Sequence, residues 1–154
     1  MALTSIDHYL LQTENLSSTR DWYVRILGMT EGPHPDFKFP VCWLYIKDKD
    51  VLHIAEGGKA VSENRLKYLG QESQDIRGSG VIDHIAYAAT GLSETIQHLN
   101  AEGVEYTKRQ VDLESSFQLF LKGPDGVKIE LNFDVAEAEG VEPTLLASDL
   151  SSES

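Results

Sequence analysis

Ile6-Asp7-His8 and Ile82-Asp83-His84 are the same tripeptide, and each copy opens a similar block of sequence. The two histidines lie 76 positions apart, and so do the Leu-Ser pairs at 16–17 and 92–93. The helix-stop glycines Gly28 and Gly103 are 75 apart, and His53 and Glu130, near the ends of the two blocks, are 77 apart. A repeat at this period reads as one supersecondary unit present twice, not as two unrelated domains.

In the first block, Ser5 to Leu11 is expected to be a strand, largely apolar as suits a strand covered on both faces. A helix is expected from about Leu16 to Leu27, with Ser17 or Ser18 as N-cap, an apolar stripe of Leu16, Tyr23, Ile26 and Leu27, and Gly28 as its stop. A short strand near Met29–Glu31 precedes a Pro-rich loop from Gly32 to Pro40. Strands at Val41–Ile46 and Val51–Ala55 flank the polar turn Lys47-Asp48-Lys49-Asp50. In the second block the expected strands are Val81–Ala88, Val104–Tyr106, Phe117–Leu121 and Val127–Phe133, with a helix at Leu92–Ala101. Gly123-Pro124-Asp125-Gly126 is a turn signal. This gives an α+β chain of two tandem βαβββ modules, 1–56 and 81–133, joined by a polar linker at 57–80 with room for one helical turn. The acidic, Ser-rich tail at 134–154 is expected to be disordered.

A chain of 154 residues has room for a buried core and one pocket, with an expected radius of gyration of roughly 15 Å. Twenty-five acidic residues against 13 basic ones give a net charge of −12, which disfavours nucleic acid and anionic membranes as partners. No apolar run approaches the roughly 20 residues that span a bilayer, and the first residues lack the basic flank and apolar core of a signal peptide. A single cysteine, Cys42, excludes an intrachain disulfide and points to a cytoplasmic setting. It sits in an apolar run and reads as a buried small hydrophobe.

Four side chains at repeat-equivalent positions, His8, His53, His84 and Glu130, are candidate metal ligands. Strand parity places His8 with Ile6 and Leu10, His84 with Ile82 and Ala86, His53 with Val51 and Ala55, and Glu130 with Lys128 and Asn132. Two histidines and a carboxylate are the donor set of non-haem Fe(II) oxygenases, and suit Mn, Ni or Zn as well. Against this stands the bland reading, in which each histidine is a hydrogen-bonded rim residue and Glu130 is solvated on an open sheet face. The repeat-equivalent placement favours the metal reading. His98, on a helix, and His34, in the loop, read as surface residues. Trp43 and Tyr45 share a strand face and could line a cleft, and Trp22 reads as core or interface packing.

On these residues, the chain over about 4–133 resembles the vicinal oxygen chelate superfamily, the group of glyoxalase I, bleomycin-resistance proteins and extradiol dioxygenases. The likeness rests on the strand histidines, on Leu27-Gly28-Met29 closing the first helix, and most specifically on Gly123-Pro124-Asp125-Gly126-Val127-Lys128-Ile129-Glu130-Leu131. It implies a U-shaped mixed sheet around a central metal cavity, a divalent metal with Fe(II) favoured, and a small-molecule substrate with neighbouring oxygens. It implies His8, His84 and Glu130 as ligands, a catalytic or fourth-ligand role for His53, and a homodimer. The implied activity is that of an Fe(II) extradiol-type dioxygenase. Phe120, ten residues before Glu130, departs from that group, where a Tyr is expected. The alternatives are a glyoxalase I-like lyase or epimerase, from which His53 departs by standing where Glu is usual, and a metal-free drug-binding protein.

Overall fold

A computed structural model describes residues 1–2, 4–69, 76–111 and 116–146. The chain divides into two units, Met1–Gly78 and Ser79–Ser154, each built on its own sheet. In the first, strand β1 (Tyr9–Thr13) leads into helix α1 (Leu16–Leu27), followed by β2 (Thr30–Gly32), β3 (Val41–Ile46), β4 (Lys49–Glu56) and helix α2 (Glu63–Leu69). The sheet order is β1-β4-β3-β2, with β1 parallel to β4 and the other pairs antiparallel. In the second, β5 (Ile85–Ala88), α3 (Leu92–Ala101), β6 (Tyr106–Val111), β7 (Ser116–Lys122), β8 (Lys128–Asp134) and β9 (Leu145–Leu146) give the order β5-β8-β7-β6-β9. Again the first strand runs parallel to the last of the βαβββ set. The expected α+β architecture of two tandem modules stands. Among the described residues no helix is long and apolar enough to cross a membrane.

Helix α1 forms over the expected span. Tyr23 and Ile26 are buried from its stripe, with Thr19 as the third buried residue and Leu16 and Leu27 at the margin. Its N-cap is Asn15, without a side-chain bond, and not Ser17 or Ser18. Gly28 ends the helix in the left-handed conformation at φ 71°, where an L side chain is strained, and its N–H reaches the Val24 carbonyl at 3.1 Å. The helix packs on β3 and β4 over a core of Tyr23, Ile26, Cys42, Leu44, Leu52 and Ile54, while Trp43 and His53 take the opposite sheet face. The second core is built in the same way from Leu92, Leu99, Phe117, Leu119, Leu121, Ile129, Leu131 and Phe133.

Strands β1 and β5 begin later than expected, at Tyr9 and Ile85, so each Ile-Asp-His stands just ahead of its strand. The reason is visible in the dipeptides. In a strand, adjacent side chains point to opposite faces, yet Asp7 bonds His8 at 2.6 Å and Asp83 bonds His84 at 2.7 Å. These bonds between neighbours go with a stretch that lies outside the ladder.

Helix α2 lies within the span expected as a linker. Ser62 caps it, its hydroxyl accepting from the Arg65 N–H, and the buried Arg65 donates to the Glu56 carbonyl at 3.0 Å and to Gln12 at 2.8 Å. Residues 70–75 of that span lie outside the described residues. The tail expected to be disordered carries a short 3-10 helix, Val135–Ala138, and strand β9. Thr144 exchanges hydrogen bonds with Lys108 at 2.8 and 3.2 Å, which holds the segment to β6. Residues 147–154 lie outside the described residues.

Glu137 of the 3-10 helix accepts from the backbone N–H groups of Gly91 and Leu92 at 2.8 and 3.2 Å, so a side chain from the tail caps α3. Glu137→Ala is expected to lower stability by about 1 kcal/mol, read as a shifted urea midpoint. Burial pushes the Cys42 thiol up to about 11. Folded protein should resist a thiol reagent at pH 8 and react once unfolded; rapid labelling of the folded chain would contradict the buried reading.

Candidate metal and substrate site

The sheet registers give the two units equivalent candidate positions. Leu10 pairs with His53 across β1/β4, and Ala86 with Glu130 across β5/β8, which puts His53 and Glu130 at equivalent places. Their antiparallel neighbours are also equivalent, Trp43 opposite His53 and Phe120 opposite Glu130.

In the first unit three rings stack. His8 lies 3.8 Å from His53 at an interplanar angle of 17°, and His53 lies 3.9 Å from Trp43 at 4°. His53 is buried, and its Nε2 bonds Asp50 at 2.7 Å. The His53 bond holds the Asp50 carboxyl below its usual range, while burial pulls His53 below an ordinary imidazole. His53 is therefore a neutral ring near pH 7, with Nε2–H donated to Asp50 and the Nδ1 lone pair left as its basic atom. Imidazole lone pairs lie in the ring plane. Two rings stacked this way cannot both direct them at one ion, so in this arrangement His8 and His53 are not joint ligands.

In the second unit Glu130 is buried on the sheet face that Gln118 and Asn132 share, so the solvated reading of Glu130 fails. His84 Nε2 meets Glu130 Oε2 at 2.7 Å, and His84 Nδ1 bonds Asp83 at 2.7 Å. Gln118 donates its amide to Glu130 Oε1 and to Asn132 at 2.8 Å, and accepts from Arg109 Nε at 2.7 Å. Arginine can only donate, so the Gln118 oxygen must face Arg109 and its NH₂ must face the carboxylate. The Arg109 guanidinium also lies 4.5 Å over the Phe120 ring, whose edge meets His84 at 6.0 Å. A buried carboxylate left without such partners would cost several kcal/mol.

These donors fit a divalent cation in kind. The His84–Glu130 contact needs one hydrogen between two atoms that are both acceptors once deprotonated, and a cation can take that hydrogen's place. Among the described residues no three His, Cys, Asp or Glu side chains gather about one point. The first unit thus brings together His8 and His53, and the second His84 and Glu130.

Sequence reasoning missed Gln118, Arg109 and Asp50. The signal for Gln118 was a lone polar residue inside Phe117-Gln118-Leu119-Phe120-Leu121. The Tyr45 ring covers Gly32, where an added Cβ would stand 2.6 Å from it, and its hydroxyl donates to the Pro33 carbonyl. Trp43 instead joins an aromatic cluster in which Phe37 lies 6.1 Å from it and 4.8 Å from Tyr68 of α2. His34 is exposed and donates to the Pro35 carbonyl at 2.7 Å, whereas His98 is half-buried on α3.

The model of the Glyoxalase/Bleomycin resistance protein/Dioxygenase superfamily matches residues 5–131. Similar solved structures include an integron cassette protein from the mobile metagenome of V. cholerae, 17% identical, with TM-score 0.60 over 86% of this chain and 97% of that one. Lactoylglutathione lyase from Agrobacterium tumefaciens is 12% identical, with TM-score 0.61 over 86% of this chain and 96% of the other. The genomically encoded fosfomycin resistance protein FosX from Listeria monocytogenes is 16% identical, with TM-score 0.60 over 86% and 94%. At these identities the likeness is one of fold. No curated protein matches the chain.

Because burial lowers the folded-state pKa of His53, the unfolded chain takes up this proton at higher pH than the folded one. Stability of the metal-free protein should then fall as pH drops from about 6.5 through the lowered folded value. His53→Gln should flatten that slope in urea unfolding run from about pH 7.5 to 5; equal slopes would clear His53 as the source.

Proposed function

The chain belongs to the Glyoxalase/Bleomycin resistance protein/Dioxygenase superfamily, and on that footing we propose that it is a divalent-metal enzyme acting on a small substrate through two adjacent oxygen atoms. The ligands in this reading are His84, Glu130 and His8, and His53 moves the proton. Its main support is the 2.7 Å contact between His84 Nε2 and a Glu130 carboxylate buried in the sheet. When bound, the cation would supply Lewis-acid stabilisation of charge developing on the substrate oxygens.

The chain's own groups have distinct tasks. Gln118 occupies Glu130 Oε1 and leaves Oε2 for the ligand role. Trp43 covers one face of the His53 ring, and Phe120 packs at right angles to His84. His53, neutral and anchored through Nε2 to Asp50, offers Nδ1 to a substrate proton.

Two histidines and one carboxylate favour Fe(II) and the ring-opening oxidation of a catechol. The second reading is a glyoxalase-like lyase or epimerase, which the neutral, buried His53 favours as a base. Lactoylglutathione lyase and a fosfomycin resistance protein stand among the fold relatives. A metal-free drug-binding role is the third. We place the enzyme in the cytoplasm as a homodimer, a reading supported by the free, buried Cys42 and by the habits of the superfamily.

Protein purified without chelator should carry near-stoichiometric Fe, Mn, Ni or Zn; its absence would favour the binding role. Glu130→Gln, which keeps the shape of the side chain, and His84→Ala should bind metal more than about 100-fold more weakly, while His98→Ala should bind normally. Equal retention in all three variants overturns the ligand assignment. Oxygen uptake with a panel of catechols selects the dioxygenase, and turnover of methylglyoxal with glutathione selects the lyase.

A further inference from the structure

We propose that Asp7 and Asp83 are positioning residues, each holding the Nδ1–H of the adjoining histidine so that Nε2 is the nitrogen left for a cation. The pairing is duplicated in detail. His8 Nδ1 lies 2.6 Å from Asp7 Oδ2, and His84 Nδ1 lies 2.7 Å from Asp83 Oδ2. In each unit a lysine fastens the aspartate from the neighbouring closing strand. Lys49 Nζ stands 3.4 Å from Asp7, and Lys128 Nζ 2.8 Å from Asp83.

The lysines do not occupy equivalent positions. His53 and Glu130 match in register, and Lys49 precedes His53 by four residues whereas Lys128 precedes Glu130 by two. The same clamp reached from two places points to the arrangement itself as the constraint. The backbone agrees, because both Asp-His pairs stand ahead of β1 and β5, where adjacent side chains can meet.

A neutral imidazole has one N–H and one lone pair. Donation from Nδ1 to a carboxylate fixes the lone pair on Nε2, and it also stops the ring from turning about its Cβ–Cγ bond. Carboxylates behind ligand histidines act in this way at metal centres. His84 Nε2 already faces Glu130 Oε2. His53 is held through the opposite nitrogen, since Asp50 takes its Nε2. The chain therefore sets two rings one way and the third the other, which separates ligands from base. The ligand role of His8 and His84 rests on the proposed metal function; the tautomers of His8 and His53 do not.

The test uses metal-free, full-length protein labelled with ¹⁵N-histidine, observed by long-range ¹H–¹⁵N correlation at about pH 9, where free imidazole is neutral. Metal-free, His8 should carry the proton on Nδ1 and His53 on Nε2; His84, whose Nε2 shares a hydrogen with Glu130 until a cation replaces it, should carry it on Nδ1 alone once Zn²⁺ is bound. Asp7→Ala should release His8, and not His53, to a tautomer mixture. Asp83→Asn, which keeps an acceptor oxygen, should hold His84 as before. Zn²⁺ titration by calorimetry should then find each Asp→Ala variant weaker by about 10–100-fold. His8 protonated on Nε2, a His8 tautomer unmoved by Asp7→Ala, His84 protonated on Nε2 with Zn²⁺ bound, or unchanged Zn²⁺ affinity would each overturn the proposal. Wild type with the expected His8 and His53 tautomers but no Zn²⁺ uptake supports the positioning and overturns the metal reading, so the two fail separately.

Discussion

In each unit the first strand lies parallel to the last, and that pairing is what brings the candidate donors together. A parallel pair cannot be closed by a tight turn; it needs a crossover of a dozen residues or more. Here the crossover carries a helix and two further strands. Its product is that His8 stacks on His53 and His84 meets Glu130, although each pair is far apart in sequence. The register is unforgiving: a slip of one residue would put Leu52 or Ile54 on the functional face and bury His53 against α1. The core residues on one face therefore also fix the chemistry on the other.

Much of this was legible in the chain. Helices α1 and α3 and strand β3 have their expected spans, because apolar periodicity, a glycine stop and a continuous apolar run act locally. Helix α2 was harder to see, since seven residues with one buried side chain, Arg65, carry little apolar signal. Ser62 was its readable cap. The starts of β1 and β5 were misread because Ile-Asp-His looks like strand and departs from it only through a side-chain bond. The buried state of Glu130 was also out of reach: its sequence neighbours Lys128 and Asn132 suggest a wet face, and only cross-strand Gln118 makes it a dry one.

The second half-site owes its rigidity to a series of donors and acceptors with no spare choice. Arg109 donates to Gln118, Gln118 to Glu130, His84 bridges Glu130 and Asp83, and Lys128 donates to Asp83. Each link fixes the orientation of the next, which is the kind of outer support that keeps a binding geometry from loosening. Two cations close the ends of this series in a protein of net charge −12, so the local balance at the donors differs from that of the whole surface. The first half-site uses face-to-face rings in place of amides, with Trp43 where the second has Phe120.

His8 and His84 each take their orientation from the residue directly before them in the chain. The instruction therefore travels with the gene segment, whichever copy of the fold receives it. A duplicated half arrives with its ring already aimed, and only the residue on the closing strand has to diverge, to imidazole in one copy and to carboxylate in the other. The two copies could in this way come to hold different donors without rebuilding either sheet.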